Sequence, residues 1–156
     1  MISNATPLIF LAKINQLELL QKLFTKVYIP LEVEQEILVA GKPGYYALKA
    51  ARDEGWLFVE KTKTMIPLGL GKGETAAISL AKEKADSILL DDAAAIKAAE
   101  GLHVATIRTT SVLFLAVQKK ILDREKALQL LNALIESGYY IAPRCYTLLL
   151  GKLRTS

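Results

Sequence analysis

The sequence predicts an α/β domain in three layers, a central and mostly parallel sheet flanked by helices. Short apolar runs alternate with helix-periodic segments along the chain, as strands joined by helical crossovers do. One of these runs, Ile88-Leu89-Leu90, is continuously apolar, the pattern of a strand covered on both faces. The 156 residues are 52% hydrophobic with a mean hydropathy of +0.28, enough for a full core without disulfide or metal staples.

Ile2-Ser3 reads as the end of a short first strand. Pro7 opens one helix-periodic run through Leu23, with Leu8, Leu11, Leu17, Leu19, Leu20 and Leu23 on its apolar faces. Val27-Tyr28-Ile29 is a short buried strand, and Pro30 suits the first turn of the helix that follows. That helix runs from Leu31 to Val39 and ends at Gly41-Lys42-Pro43-Gly44. Tyr45 to Glu54 is a further helix closed by Gly55, and Trp56-Leu57-Phe58-Val59 is strand-like. Gly69-Leu70-Gly71-Lys72-Gly73 is a flexible loop leading into a helix from Glu74 to Lys84. The strand Ser87-Ile88-Leu89-Leu90 ends abruptly in Asp91-Asp92. Ala93 to Glu100 is helical, Gly101 caps it, and His103-Val104-Ala105 is another short strand. Thr110 to Lys120, Arg124 to Glu136 and Pro143 to Leu153 are helical. No repeat, low-complexity tract or linker interrupts the chain, so residues 1–156 form one domain, with 123–156 a helical C-terminal extension.

Composition narrows the function classes. No apolar run reaches the length of a membrane span, and Met1-Ile2-Ser3-Asn4 has neither a basic nor a cleavable apolar stretch of the secretory kind. The single Cys145 excludes an internal disulfide and a multi-cysteine zinc site. A cytoplasmic protein is expected. Twenty Lys and Arg against sixteen Asp and Glu give a formal charge of +4, which permits phosphate contacts without demanding them.

In a parallel sheet the ligand site lies beyond the carboxyl ends of the strands, and both Asn4 and Asp91-Asp92 directly follow a strand. Two carboxylates on a buried strand are expensive unless something uses their charge. Capping of the next helix is the competing explanation, and one acid can cap while the other faces the cleft. Glu74 opens its helix and has the same two explanations. Glu32, Glu34 and Glu36 share one helix, and Glu34 cannot aim at the same cleft as Glu36, because residues two apart do not share a face. The glycine-rich loop before Glu74 matches neither the P-loop nor the dinucleotide spacing. His103, the sole histidine, reads as structural, and Cys145, Trp56 and Phe58 as core. No histidine pairs with a cysteine or serine at a nucleophile's spacing.

Five segments in order carry a family resemblance. They are Ser3-Asn4-Ala5-Thr6-Pro7-Leu8-Ile9, Ile29-Pro30-Leu31-Glu32-Val33 through Glu36-Ile37, Gly73-Glu74-Thr75-Ala76-Ala77-Ile78, Leu89-Leu90-Asp91-Asp92, and Thr109-Thr110-Ser111-Val112-Leu113. The tail Glu136-Ser137-Gly138-Tyr139-Tyr140-Ile141 fits as well. The chain resembles a prokaryotic branch of the PIN-like domains, related to the VapC-type toxin nucleases. The resemblance implies a Mg²⁺- or Mn²⁺-dependent endoribonuclease, the toxin of a toxin–antitoxin pair. Its four pocket positions fall on Asn4, Glu36, Glu74 and Asp92, with Glu36, Glu74, Asp92 and, as the alternative to Asp92, Asp91 as metal ligands. Thr6 and Thr109 supply supporting hydroxyls, and Lys72 and Arg108 contact RNA. Implied partners are RNA, an antitoxin protein and a second copy of the chain in a homodimer, with no membrane. Asn4 departs from the family's acid: its amide oxygen can still ligate a metal but brings no charge. The alternative is therefore a catalytically weak or inactive PIN-like module that binds RNA or a protein partner.

Overall fold

The chain alternates strand and helix from its first residues, and the computed structural model describes residues 1–155. Ser156, the last residue of the expected domain and extension, lies outside the described residues. In chain order β1 (Ile2–Ser3) leads into α1 (Ala5–Lys13) and α2 (Glu18–Phe24), then β2 (Val27–Ile29). There follow α3 (Leu31–Ile37), α4 (Tyr45–Asp53), β3 (Leu57–Val59), α5 (Lys72–Lys84) and β4 (Ile88–Leu89). The chain continues through α6 (Ala93–Gly101), β5 (Thr106–Ile107), α7 (Thr109–Gln118), α8 (Arg124–Glu136) and α9 (Pro143–Thr155).

The strands form one five-stranded sheet in the order β3-β2-β1-β4-β5, and every pairing is parallel. Helices cover both faces, giving the three-layer α/β architecture. α2 packs near β2 and α4 near β3, while α5 lies against β1 and β4 and α6 against β5. The central strands are fully buried, with Ile2, Val27, Ile29, Ile88 and Leu89 excluded from solvent. α8 buries Ala127, Leu130, Leu131 and Leu134, and packs on α1 and α7, so this part of the C-terminal segment shares the common core. Among the described residues no helix is long and apolar enough to cross a membrane.

The strand order fixes where a site can form. From β1 the chain moves outward to β2 and β3, then returns to place β4 on the other side of β1. Connections leaving β1 and β4 therefore diverge, which opens a crevice at the carboxyl ends of these two strands. Ile2 registers with Ile88 and Ser3 with Leu89, so Asn4 and the Asp91-Asp92 pair emerge side by side at that crevice.

The structure departs from the sequence reading at several elements. The run from Pro7 to Leu23 is two helices, broken at Asn15, which adopts a left-handed φ of 56° that asparagine tolerates. The periodicity runs through the break because Leu17, Leu19 and Leu20 still enter the same core. α5 begins at Lys72, so Gly73 lies inside the helix and not in the loop. The fifth strand starts at Thr106, not at His103. The turn ending α6 consumes Leu102, His103 and Val104 through bonds to Ala99 and Glu100 carbonyls, with His103 left-handed at φ 60°. His103 is exposed and begins no strand. Cys145 is exposed too, because α9 buries only Leu153.

Candidate acidic site

Asn4 occupies the N-cap position of α1 but makes no capping bond with its side chain. Its backbone N–H donates to the Leu89 carbonyl at 3.0 Å, which ties it to β4. The side chain is buried and its amide oxygen faces Gly73 in the first turn of α5. Glu36 reaches the same place from the last turn of α3, which packs against α5. A methyl group added at Gly73 would lie 2.3 Å from Glu36 Oε1 and 3.7 Å from Asn4 Oδ1. The bare backbone at Gly73 is thus what lets the two oxygens converge. Of the three glutamates on α3, Glu36 is the one brought to the crevice.

Glu74 follows Gly73 in the first turn of α5. Its pKa is raised, first by burial, then by the nearby Asp92 charge and more weakly by Glu36, against the pull of a hydrogen bond from the Gly71 backbone. These causes place three carboxylates, on α3, on α5 and at the start of α6, within electrostatic reach of one another. Asp92 caps α6, its Oδ2 accepting from the Ala95 N–H at 2.9 Å. A cap occupies one carboxylate oxygen and leaves the other open to the crevice.

Asp91 turns toward β5. Its Oδ1 accepts from the Thr109 N–H at 3.0 Å and from the Tyr139 hydroxyl, and its Oδ2 accepts from the Thr109 hydroxyl at 2.6 Å. Tyr139 is buried, and burial followed by the Asp91 charge pushes its pKa upward, while Arg108 acts in the opposite sense. The adjacent acids thus part company: Asp92 stands with Glu74 and Glu36, and Asp91 is enclosed by Thr109 and Tyr139. Thr109 is fully buried at the start of α7, spending its hydroxyl on Asp91. Thr6 is half-buried in the first turn of α1. Lys72 is exposed as the first residue of α5, and Arg108 is exposed at the N-cap position of α7. Gly73 and Tyr139 are the residues the sequence did not single out for the site. A glycine just before an acid at a helix start was the available signal for the first. The second lies in the tail segment that carries the resemblance, but nothing there tied it to the site.

The donor set suits a hard divalent cation. Asn4, Glu36, Glu74 and Asp92 offer oxygen ligands only, and the Asp92 and Glu36 charges add to burial in raising the pKa of Glu74. The four make up an acidic ring by donor type and electrostatic reach, while among the described residues no three Asp, Glu, His or Cys side chains come together as a metal-holding group. Mg²⁺ keeps several of its waters and takes one or two carboxylates, so the donor type fits it without a full protein cage.

No curated protein and no solved structure matches the chain. A family model described as a PIN domain matches residues 1–155, nearly the whole length. Its span takes in the all-parallel sheet and every residue of the acidic ring, and the chain belongs to the PIN domain family.

Proposed function

We propose that the chain is an endoribonuclease that uses Mg²⁺ or Mn²⁺. The observation that carries this reading is the approach of Asn4 and Glu36 to the bare backbone of Gly73, beside a Glu74 that feels the charges of Asp92 and Glu36. PIN domains are nuclease-like and generally use divalent metals, and the oxygens of Glu36, Glu74, Asp92 and Asn4 would hold such an ion here. The ion would supply positive charge for the phosphate oxygens and acidify a water. The chain's own part is to gather the carboxylates and to keep Asp92 oriented through the α6 cap. Hydrolysis adds the water's hydroxyl to phosphorus, breaks one P–O bond and leaves the proton on the departing ribose oxygen. Arg108, just before α7, and Lys72, the first residue of α5, are exposed and would meet the RNA phosphates. Asp91 serves better as a strut than as a ligand, since Thr109 and Tyr139 occupy both its oxygens. By resemblance to the VapC-type toxins, the protein would act as a homodimer restrained by an antitoxin.

A second reading, a PIN-like module that binds RNA or a protein without cutting, draws on the neutral amide of Asn4. Incubation of purified protein with RNA and Mn²⁺ separates the two. The nuclease reading expects cleavage that EDTA abolishes and that Asp92→Asn lowers by at least ~100-fold. Cleavage by Asp92→Asn at the wild-type rate would overturn it.

A further inference from the structure

Beside the acidic ring lies a second concavity that the ring does not use. It is a cleft of about 300 Å³ between the start of α7, the segment before α9 and α9 itself, lined by Arg108, Tyr139, Tyr140, Ile141, Leu149 and Lys152 among others. Such a volume is at the small end of ligand sites. Its lining includes Tyr139, whose hydroxyl donates to Asp91, the residue just before Asp92 of the acidic ring. Its mouth carries Tyr140, which is 82% exposed and makes no use of its ring in the core. Its charged lining residues are Arg108 and Lys152, and no acid lines it. A large exposed aromatic at the mouth of an apolar cleft with cationic walls matches a nucleobase joined to phosphates.

We propose that this cleft is a base-binding subsite for single-stranded RNA, holding one nucleotide next to the phosphate presented to the acidic ring. The proposal rests on the reading of that ring as an RNA-cutting site, which fixes where the strand must pass. Tyr140 is the stacking platform, the apolar walls exclude water from the base, and Arg108 takes the phosphate at the α7 N-terminus. A base locked in a duplex cannot enter such a cleft, so the subsite selects unpaired RNA.

Fluorescence anisotropy with a labelled single-stranded RNA in EDTA tests this on the full chain, free of any cleavage. Tyr140→Ala is expected to weaken binding about tenfold, within the range for one stacked base, and Tyr140→Phe to bind as the wild type. Arg108→Gln is expected to reduce the slope of log affinity against log salt by about 0.7, the value for one single-strand phosphate contact. Because Tyr140 is so exposed, these variants keep the fold, which circular dichroism verifies. Unchanged binding by Tyr140→Ala overturns the proposal, as does duplex RNA binding as tightly as the single strand. So does a loss of self-association in sedimentation with RNA binding intact, which would make the cleft a seat for another protein surface. RNA bound through Tyr140 but never cut would sink the nuclease reading alone and leave the subsite standing.

Discussion

At the residue scale the site turns on an atom that is missing. Gly73 sits in the first turn of α5, where alanine is the better helix former by about 1 kcal/mol. A Cβ there would stand 2.3 Å from the Glu36 carboxylate, the far end of a flexible side chain on the surface. Gly73→Ala is therefore expected to leave the melting temperature unchanged or slightly higher. It should lower Mn²⁺-dependent RNA cleavage at least ~10-fold by displacing Glu36. Wild-type activity in that variant would show that Glu36 is not part of the site. Glu74 gives a pH test. Its folded pKa is raised above its unfolded value, chiefly by burial and then by Asp92 and Glu36. The folded state thus holds this proton more tightly, and the stability it brings is present at low pH and lost as pH rises through the raised pKa. Thermal melts in EDTA from about pH 4 to pH 7 should show that loss, and Glu74→Gln should remove Glu74's share of it. Added Mn²⁺ should offset the loss in the wild type and not in the variant. Neither test could be designed from sequence alone. The sequence showed Glu74 at a helix start, but its neighbours on α3 and α6 are set by the fold.

At the scale of elements, one side chain has two duties. Asp92 caps α6 and also faces Glu74. Asparagine can keep the cap while removing the charge, whereas alanine removes both. Asp92→Ala is therefore expected to destabilise the protein by about 1 kcal/mol more than Asp92→Asn in urea melts, with cleavage lost in both. Equal stability of the two variants would show that the cap contributes nothing. The elements themselves were largely legible. Apolar runs located Ile2–Ser3, Val27–Ile29 and the strand before Asp91 because strands buried on both faces leave a continuous signal. Two of the failures came where left-handed turns intervene at non-glycine residues, at Asn15 and His103, since helical periodicity does not register a change of direction. The division of labour between Asp91 and Asp92 was not legible either. Adjacent acids look alike until Thr109 and Tyr139, from distant segments, enclose one of them.

At the scale of the whole molecule, the C-terminal helices are joined to the sheet through α8. Leu134 is fully buried there, with α8 set against α1 and α7. Leu134→Ala should cost about 2–5 kcal/mol, and a value well below this would mark α8 as a detachable appendage. The same architecture has a consequence for the order in which the protein is made. β1 carries Asn4, yet its partner β4 and the acids after it lie more than eighty residues later, as the pairing of Ile2 with Ile88 shows. A chain emerging from the ribosome can pair β1 with β2 early, but the acidic ring cannot close until Asp92 is out. Asp91 gains its tyrosine hydroxyl only after residue 139 has followed. A half-made chain thus has its first strands and no cutting site, and under the proposed activity the message being translated is spared until Asp92 has been made.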